Sequence, residues 1–213
     1  MPRYFESTTV FNFSWEQVAQ AFWRRYPNPN SKHVLTEDTI SREVRGDQLV
    51  SKRLLRKTNA LPKWAERFIN TKHVYIMEES SVDPKNKVLV TYTRNLGFAK
   101  VMSVTEKVVY RESENQPGHT VAVRSAWIDS QVRGFSKAIC AFGYERFKKN
   151  CHKMAGGFNH VLMSMYPVHQ HLTNHATAAA SAKNKLKDAA KNASELAKAK
   201  AAPIYASLHP NQS

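Results

Sequence analysis

Apolar residues in the first 130 positions recur at period two in seven short runs, residues 8–13, 32–44, 49–58, 73–82, 88–96, 101–111 and 120–130. Each run predicts a strand, and the short breaks at Arg45-Gly46-Asp47-Gln48, Asp83-Pro84-Lys85-Asn86, Gly97 and residues 115–118 predict antiparallel neighbours. Between the first two runs, Ser14-Trp15-Glu16-Gln17 has the S-x-x-Q form of a capping box. A helix is expected to start there, to carry Val18, Ala21 and Phe22 inward, and to end by Tyr26, before Pro27. Residues 61–68, LPKWAERF, place a proline at the start of a second short helix. The period changes to 3.6 for residues 136–165, a long helix ended by Pro167. The order β-α-ββ-α-ββββ-α predicts an α+β fold, a curved antiparallel sheet of about seven strands with the long helix along it.

Two elements break their own patterns. On the long helix, Phe147, Cys151, Met154, Phe158, Leu162 and Met165 form an apolar stripe suited to a core. A neighbouring stripe runs through Phe135, Ile139, Phe142 and Val161, but Arg146, Asn150 and Lys153 interrupt it. Those three mark either the edge where the helix meets solvent or a polar spot inside a cavity. In residues 49–57, alternation puts Arg53 and Lys57 on one face with Leu49 and Leu55, and Lys52 and Arg56 on the other with Val50 and Leu54. One basic pair must therefore share a face with core residues, and a buried cation without a partner is very costly. A cavity that receives a phosphate would resolve the conflict, since Arg and Lys pair strongly with phosphate oxygens.

Charge narrows the ligand. The chain's 213 residues carry 32 Lys and Arg against 17 Asp and Glu, a net charge of +15, which favours an acidic partner, nucleic acid or an anionic membrane. No run of about 18 apolar residues is present, so no bilayer-spanning helix is expected. The acidic Glu6 and Glu16 are unlike a cleaved organellar presequence, and any targeting is expected to be internal. Cys140 and Cys151 fall eleven residues apart on one helix, roughly 16 Å, beyond disulfide reach, so both are expected as free thiols. His169, His171 and His175 cluster without a cysteine or carboxylate companion, and no metal or cofactor is expected. The chain lacks G-x-S-x-G, a P-loop and a carboxylate-rich metal site, which argues against an enzyme. Basic residues mixed with apolar ones, and no RNP-type aromatic motif or zinc-finger spacing, argue against nucleic-acid binding.

The segment FWRRYPNPNSKHVLTE gathers Arg24, Arg25, Lys32 and His33 at a corner whose prolines, Pro27 and Pro29, fix φ. Together with KRLLRKTNALPKWAERF, TYTRNL and RFKKNCHKMAGGF, it closely resembles the PRELI-like (slowmo-related) lipid transfer proteins of mitochondria over residues 1–165. SKHVLTED, WAER and the Ala/Lys-rich tail look more like the PRELI branch, which carries phosphatidic acid, than the branch carrying phosphatidylserine. The resemblance implies a phosphatidylinositol-transfer-like fold for residues 1–170, with the sheet, long helix and a short lid helix enclosing a lipid. It implies a carrier of the mitochondrial intermembrane space that moves phosphatidic acid from outer to inner membrane for cardiolipin synthesis. The partner so implied is a small helical protein with paired-cysteine motifs.

Carried over residue by residue, the headgroup set is Arg25, His33, Arg53, Lys57, Arg146, Asn150 and Lys153, with Arg24 left as a surface charge. The mobile lid and membrane contact would be Leu61, Pro62, Lys63, Trp64, Arg67 and Phe68, where the lysine and arginine attract anionic headgroups. Asn30 stands where relatives usually have an aromatic, and Ala60 where they often have a base, so cargo is less firmly implied than fold. A phosphatidylserine carrier of the same fold is the alternative. Residues 171–213 are rich in Ala and Lys with few large apolar groups, a solvated and partly helical tail or a weak helix lying on anionic membrane.

Overall fold

A computed structural model describes residues 2–58 and 73–167 of the chain. The expected short helix at 61–68, with all six lid residues, lies outside the described residues, as does the tail beyond 167. The described elements are β1 (Arg3–Phe11), α1 (Trp15–Phe22), β2 (Val34–Arg45), β3 (Gln48–Thr58), β4 (His73–Asp83), β5 (Val88–Asn95), β6 (Ser103–Glu112), β7 (Thr120–Asp129) and α2 (Ser136–Met165). A single 3-10 turn, Pro29–Ser31, precedes β2. The fold is α+β: one seven-stranded antiparallel sheet, a short N-terminal helix and a long C-terminal one.

The strands lie in the order β1-β7-β6-β5-β4-β3-β2, so six successive strands are hairpin neighbours and β1 crosses to pair with the last. The sequence reading started β1 at residue 8, whereas the strand begins at Arg3, paired to Ile128. Its inward positions Ser7 and Thr9 are polar, which hid the period. α1 opens as expected: the Ser14 amide donates to Gln17 Oε1 at 2.9 Å while the Gln17 amide donates to Ser14 Oγ at 3.4 Å. The helix stops at Phe22, within the expected limit of Tyr26, where the chain turns toward the proline corner.

α2 packs on the inner face of the sheet and takes part in two apolar clusters. One joins Phe11, Val18, Phe22, Leu89, Tyr110 and Ala122 to Phe158 and Leu162 of α2. The other joins Phe5, Ala126 and Ile128 to Cys151, with Phe147 and Met154 packed against them. At Gly143 a side chain would begin 2.7 Å from Met102 Sδ and 2.9 Å from Ile128 Cγ2, so glycine sets how closely helix and sheet approach. Cys140 and Cys151 are both buried free thiols. Among the described residues no helix is long and apolar enough to cross a membrane.

Register makes the inner face of the sheet unusual. Strand pairing aligns Leu49, Val82, Leu89, Tyr110 and Ala122 in one cross-strand row, an ordinary core layer. The next row runs Ser51, Ser80, Thr91, Val108 and Arg124, and the one after it Arg53, Glu78, Thr93, Glu106 and Ala126. A polar band therefore crosses the buried face. Buried polar groups persist only when partnered or when they hold something.

Candidate functional site

The site grows from the end of α1. There the Arg25 side chain turns back to donate to the Phe22 carbonyl at 3.0 Å, taking one of the acceptors that a helix end leaves open. Asn28 Nδ2 donates to the Arg25 carbonyl at 2.7 Å, and Asn28 Oδ1 accepts from the Asn30 amide at 3.0 Å, so the YPNPN corner is fastened by one asparagine. The Tyr26-Pro27 peptide in this corner is cis. Gly157 of α2 lies against it: a side chain there would begin 2.4 Å from Asn28 Oδ1. Arg24 is exposed, as its assignment to the surface requires.

Arg25 and Arg53 meet in the polar band, and both are engaged by protein carboxylates. Glu78 binds Arg25 through Oε2 and Arg53 through Oε1, the latter at 2.9 Å from Nε, while Glu37 Oε2 lies 2.9 Å from Arg53 Nη1. The Arg25 guanidinium also sits 4.0 Å from the Phe22 ring centre, with Arg53 5.0 Å from both Phe22 and Trp23. Burial disfavours the Glu78 carboxylate, yet Arg25 and Arg53 outweigh it and hold its pKa below the ordinary value. Burial lowers Arg53 and raises Glu37. The conflict posed by a cation on the core face of β3 is thus met by Glu78 and Glu37, not by a vacant anion site. Arg53 borders neither of the cavities described next.

Two cavities lie between sheet and α2. The larger, about 220 Å³, has an apolar side that includes Val74, Ile76, Phe98, Ile139 and Phe142. Its polar side brings together four expected headgroup residues, His33 and Lys57 from the sheet edge and Arg146 and Asn150 from α2. The smaller, about 70 Å³, reaches into the polar band and touches Arg25. Lys57, Thr93, Glu106 and Met154 border both. Burial, then the charges of Lys57, Arg146 and Lys153, push His33 below its ordinary pKa. Lys153 borders neither cavity and is exposed, so its reach into the site is electrostatic.

Sequence reasoning missed Glu78, Glu106 and Arg124. Arg124 Nε lies 2.7 Å from Glu106 Oε1, and Thr93 Oγ1 donates to Glu106 Oε2 at 3.0 Å. The parity test that singled out Arg53 and Lys57 would have found them. Glu78 shares a face with Ile76 and Val82, Glu106 with Val104 and Val108, and Arg124 with Ala122 and Ala126. Among the described residues no group of three His, Cys, Asp or Glu could hold a metal ion.

The arrangement, an apolar hollow ending in a cluster of cationic and amide groups, suits an amphiphile with an anionic head. Residues 16–167 match the PRELI-like family, most of the chain. The chain belongs to the PRELI-like family. Among its PRELI-like relatives, human PRELI domain-containing protein 1, mitochondrial, is 47% identical over 169 residues, covering 78% of this chain and 77% of the relative. The bovine protein of that name is 48% identical over the same shares. Protein UPS1, mitochondrial, of Saccharomyces cerevisiae is 35% identical over 75% of this chain and 93% of its own. Solved structures of distant sequence share this α+β fold. TTHA0849 of Thermus thermophilus aligns with a TM-score of 0.52 at 12% identity, covering 76% of this chain and 99% of that one. The Zhui aromatase/cyclase from a Streptomyces species aligns at 0.52 and 11%, covering 76% and 94%.

Proposed function

We propose that this PRELI-like protein is a lipid carrier of the mitochondrial intermembrane space that extracts phosphatidic acid from one membrane and delivers it to another, supplying cardiolipin synthesis. The observation that carries the reading is the larger cavity, whose apolar wall runs directly into His33, Lys57, Arg146 and Asn150. The mitochondrial names of its relatives and the family resemblance support the compartment. Peripheral contact with anionic membrane, and a small helical partner with paired cysteines, belong to the same reading.

Magnitudes constrain how such a carrier works. Two acyl chains of roughly 16 carbons represent on the order of 25 kcal/mol of membrane anchorage, at about 0.8 kcal/mol per methylene. Extraction requires that the protein replace nearly all of it. The phosphate in turn is desolvated, and it is compensated by Lys57, which makes no salt bridge among the described residues, by the nearby charges of Arg146 and Lys153, and by hydrogen bonds from Asn150 and His33. Arg25 and Arg53 act differently in this reading: paired with Glu78 and Glu37, they form a charge-compensated floor beneath the site.

Lys57→Ala is the direct test. A charge-assisted hydrogen bond is worth about 1.5–3 kcal/mol, so a folded Lys57→Ala protein should extract phosphatidic acid from liposomes about tenfold to a hundredfold less well than the parent. Extraction at the parental rate would contradict the assignment.

A further inference from the structure

One end of the sheet carries apolar side chains that the core does not take up. Asn95, Ser103 and Asp129 end or begin their strands there, and two loops cap them, residues 96–102 between β5 and β6 and residues 130–135 between β7 and α2. The Gln131 amide donates to the Lys100 carbonyl at 3.0 Å, which ties the loops into one tip. Asn95 fastens the first loop: its Nδ2 donates to the carbonyls of Gly97 at 2.7 Å and Met102 at 2.9 Å, and its Oδ1 accepts from the Val104 amide at 2.8 Å. Ser136 Oγ fastens the second by donating to the Ser130 carbonyl at 2.8 Å. The tip is thus held by its own hydrogen bonds.

Its apolar residues stand where local chemistry disfavours them. Phe135 is the N-cap of α2, a position at which Ser, Thr, Asp or Asn would satisfy a helix amide. It makes no side-chain cap hydrogen bond and is 60% exposed. Leu96 is 47% exposed, and Phe98 takes a left-handed backbone, φ 60°, that bulky residues rarely adopt. Residues that break local rules with no gain in packing point to function. Lys100, Arg133 and Lys137 are exposed among them, and residues 96–102 and 130–137 contain no acidic side chain. The inner side of the same tip, through Phe98, Val101 and Met102, lines the larger cavity.

We infer that this tip is a membrane-inserting surface: Phe135 and Leu96 enter the boundary between headgroups and acyl chains of an anionic bilayer, while Lys100, Arg133 and Lys137 meet its phosphates. Large apolar side chains interleaved with bases are the composition of segments that lie in that boundary. Charge sets the orientation. The opposite end of the strands mixes Asp83, Glu112 and Glu114 with Lys85 and Lys87, so the tip is the end an anionic surface attracts. With the tip inserted, the cavity wall made by Phe98 and Val101 adjoins the bilayer, and an acyl chain can move between them without crossing water. The inference deepens the carrier reading and rests on it, giving the carrier a membrane contact beyond the expected lid residues.

The test floats the full chain with phosphatidylcholine vesicles, with and without cardiolipin, and measures phosphatidic acid transfer in parallel. Phe135→Ser supplies a better N-cap, so the variant should fold at least as well as the parent, yet bind cardiolipin vesicles about tenfold less. Lys100→Gln/Arg133→Gln should weaken that binding about fivefold per charge and leave binding to phosphatidylcholine alone unchanged. Val44→Ser, 73% exposed at the opposite end of the strands, should change neither. A polarity-sensitive dye on Phe135→Cys should shift to the blue on cardiolipin vesicles, and the same dye on Val44→Cys should not. The chain's own Cys140 and Cys151 are buried, which directs the label to the introduced thiol. Parental binding by Phe135→Ser, an unshifted dye on Phe135→Cys, or a parent that does not float with cardiolipin vesicles overturns the tip. The carrier reading stands in each case if the parent still transfers phosphatidic acid. A parent that binds vesicles through the tip but transfers no lipid overturns the carrier reading instead.

Discussion

Glu78 is the residue on which the polar interior turns. One carboxylate bridges two buried guanidiniums, and Glu37 supplies the second negative charge to Arg53, so the deep end of the site is close to neutral before any ligand arrives. Replacing Glu78 by Gln leaves the two arginines facing each other in the core, and breaking a buried pair costs about 3–5 kcal/mol. Chemical denaturation at neutral pH should show a loss of that order, and a Glu78→Gln protein as stable as the parent would contradict the network. The pH dependence has a definite sign. Because the folded pKa of Glu78 lies below the ordinary value, its contribution is complete above about pH 5 and is lost as acid protonates it through the depressed folded value. The parent should therefore destabilise in that acid range more steeply than Glu78→Gln. At this scale the sequence was half legible: alternation exposed Arg53 and Lys57 as bases on a core face, but only strand pairing showed that Glu78 stands opposite Arg53.

The elements were more legible than the contacts between them. The capping box at Ser14 and the limits of α2 follow from local chemistry and a 3.6-residue period kept over 30 residues, and both lie where the pattern placed them. β1 was half hidden because its inward positions between Phe5 and Phe11 are the polar Ser7 and Thr9, and Ser7 pairs with Arg124 of the polar band. Least legible was the seating of α2 on the proline corner, which depends on Gly157 meeting Asn28 across more than a hundred residues. Gly157→Ala must push Asn28 aside, and with it the carbonyl grip on Arg25. Overpacking of this kind costs about 1–3 kcal/mol. Thermal melting should show that loss, and lipid extraction should fall further than the melting shift accounts for, because the corner also carries His33. The neighbouring Gly156→Ala meets only the end of Asn30 at 3.1 Å and should change stability by less than about 0.5 kcal/mol. Equal effects of the two alanines would contradict the fastening role of Asn28.

For the whole molecule, the polar band puts a set of paired charges inside an otherwise apolar sheet-and-helix frame. The sheet and α2 supply two apolar clusters that hold the frame together, with the polar band between them. The larger cavity, about 220 Å³, falls below the roughly 300–1,000 Å³ of ordinary small-molecule sites, so two acyl chains require it to widen on loading. In the proposed reading, the net charge of +15 draws the molecule to anionic membrane and the interior selects what leaves with it. The measurement that bears most directly on this account is the identity of the lipid held by the full-length protein after incubation with vesicles of mixed phospholipids and re-isolation, read by native mass spectrometry. The account predicts one phosphatidic acid per chain, enriched over phosphatidylserine and phosphatidylglycerol, and strongly reduced in Lys57→Ala. A protein recovered without lipid, or loaded mainly with phosphodiester lipids, would contradict it.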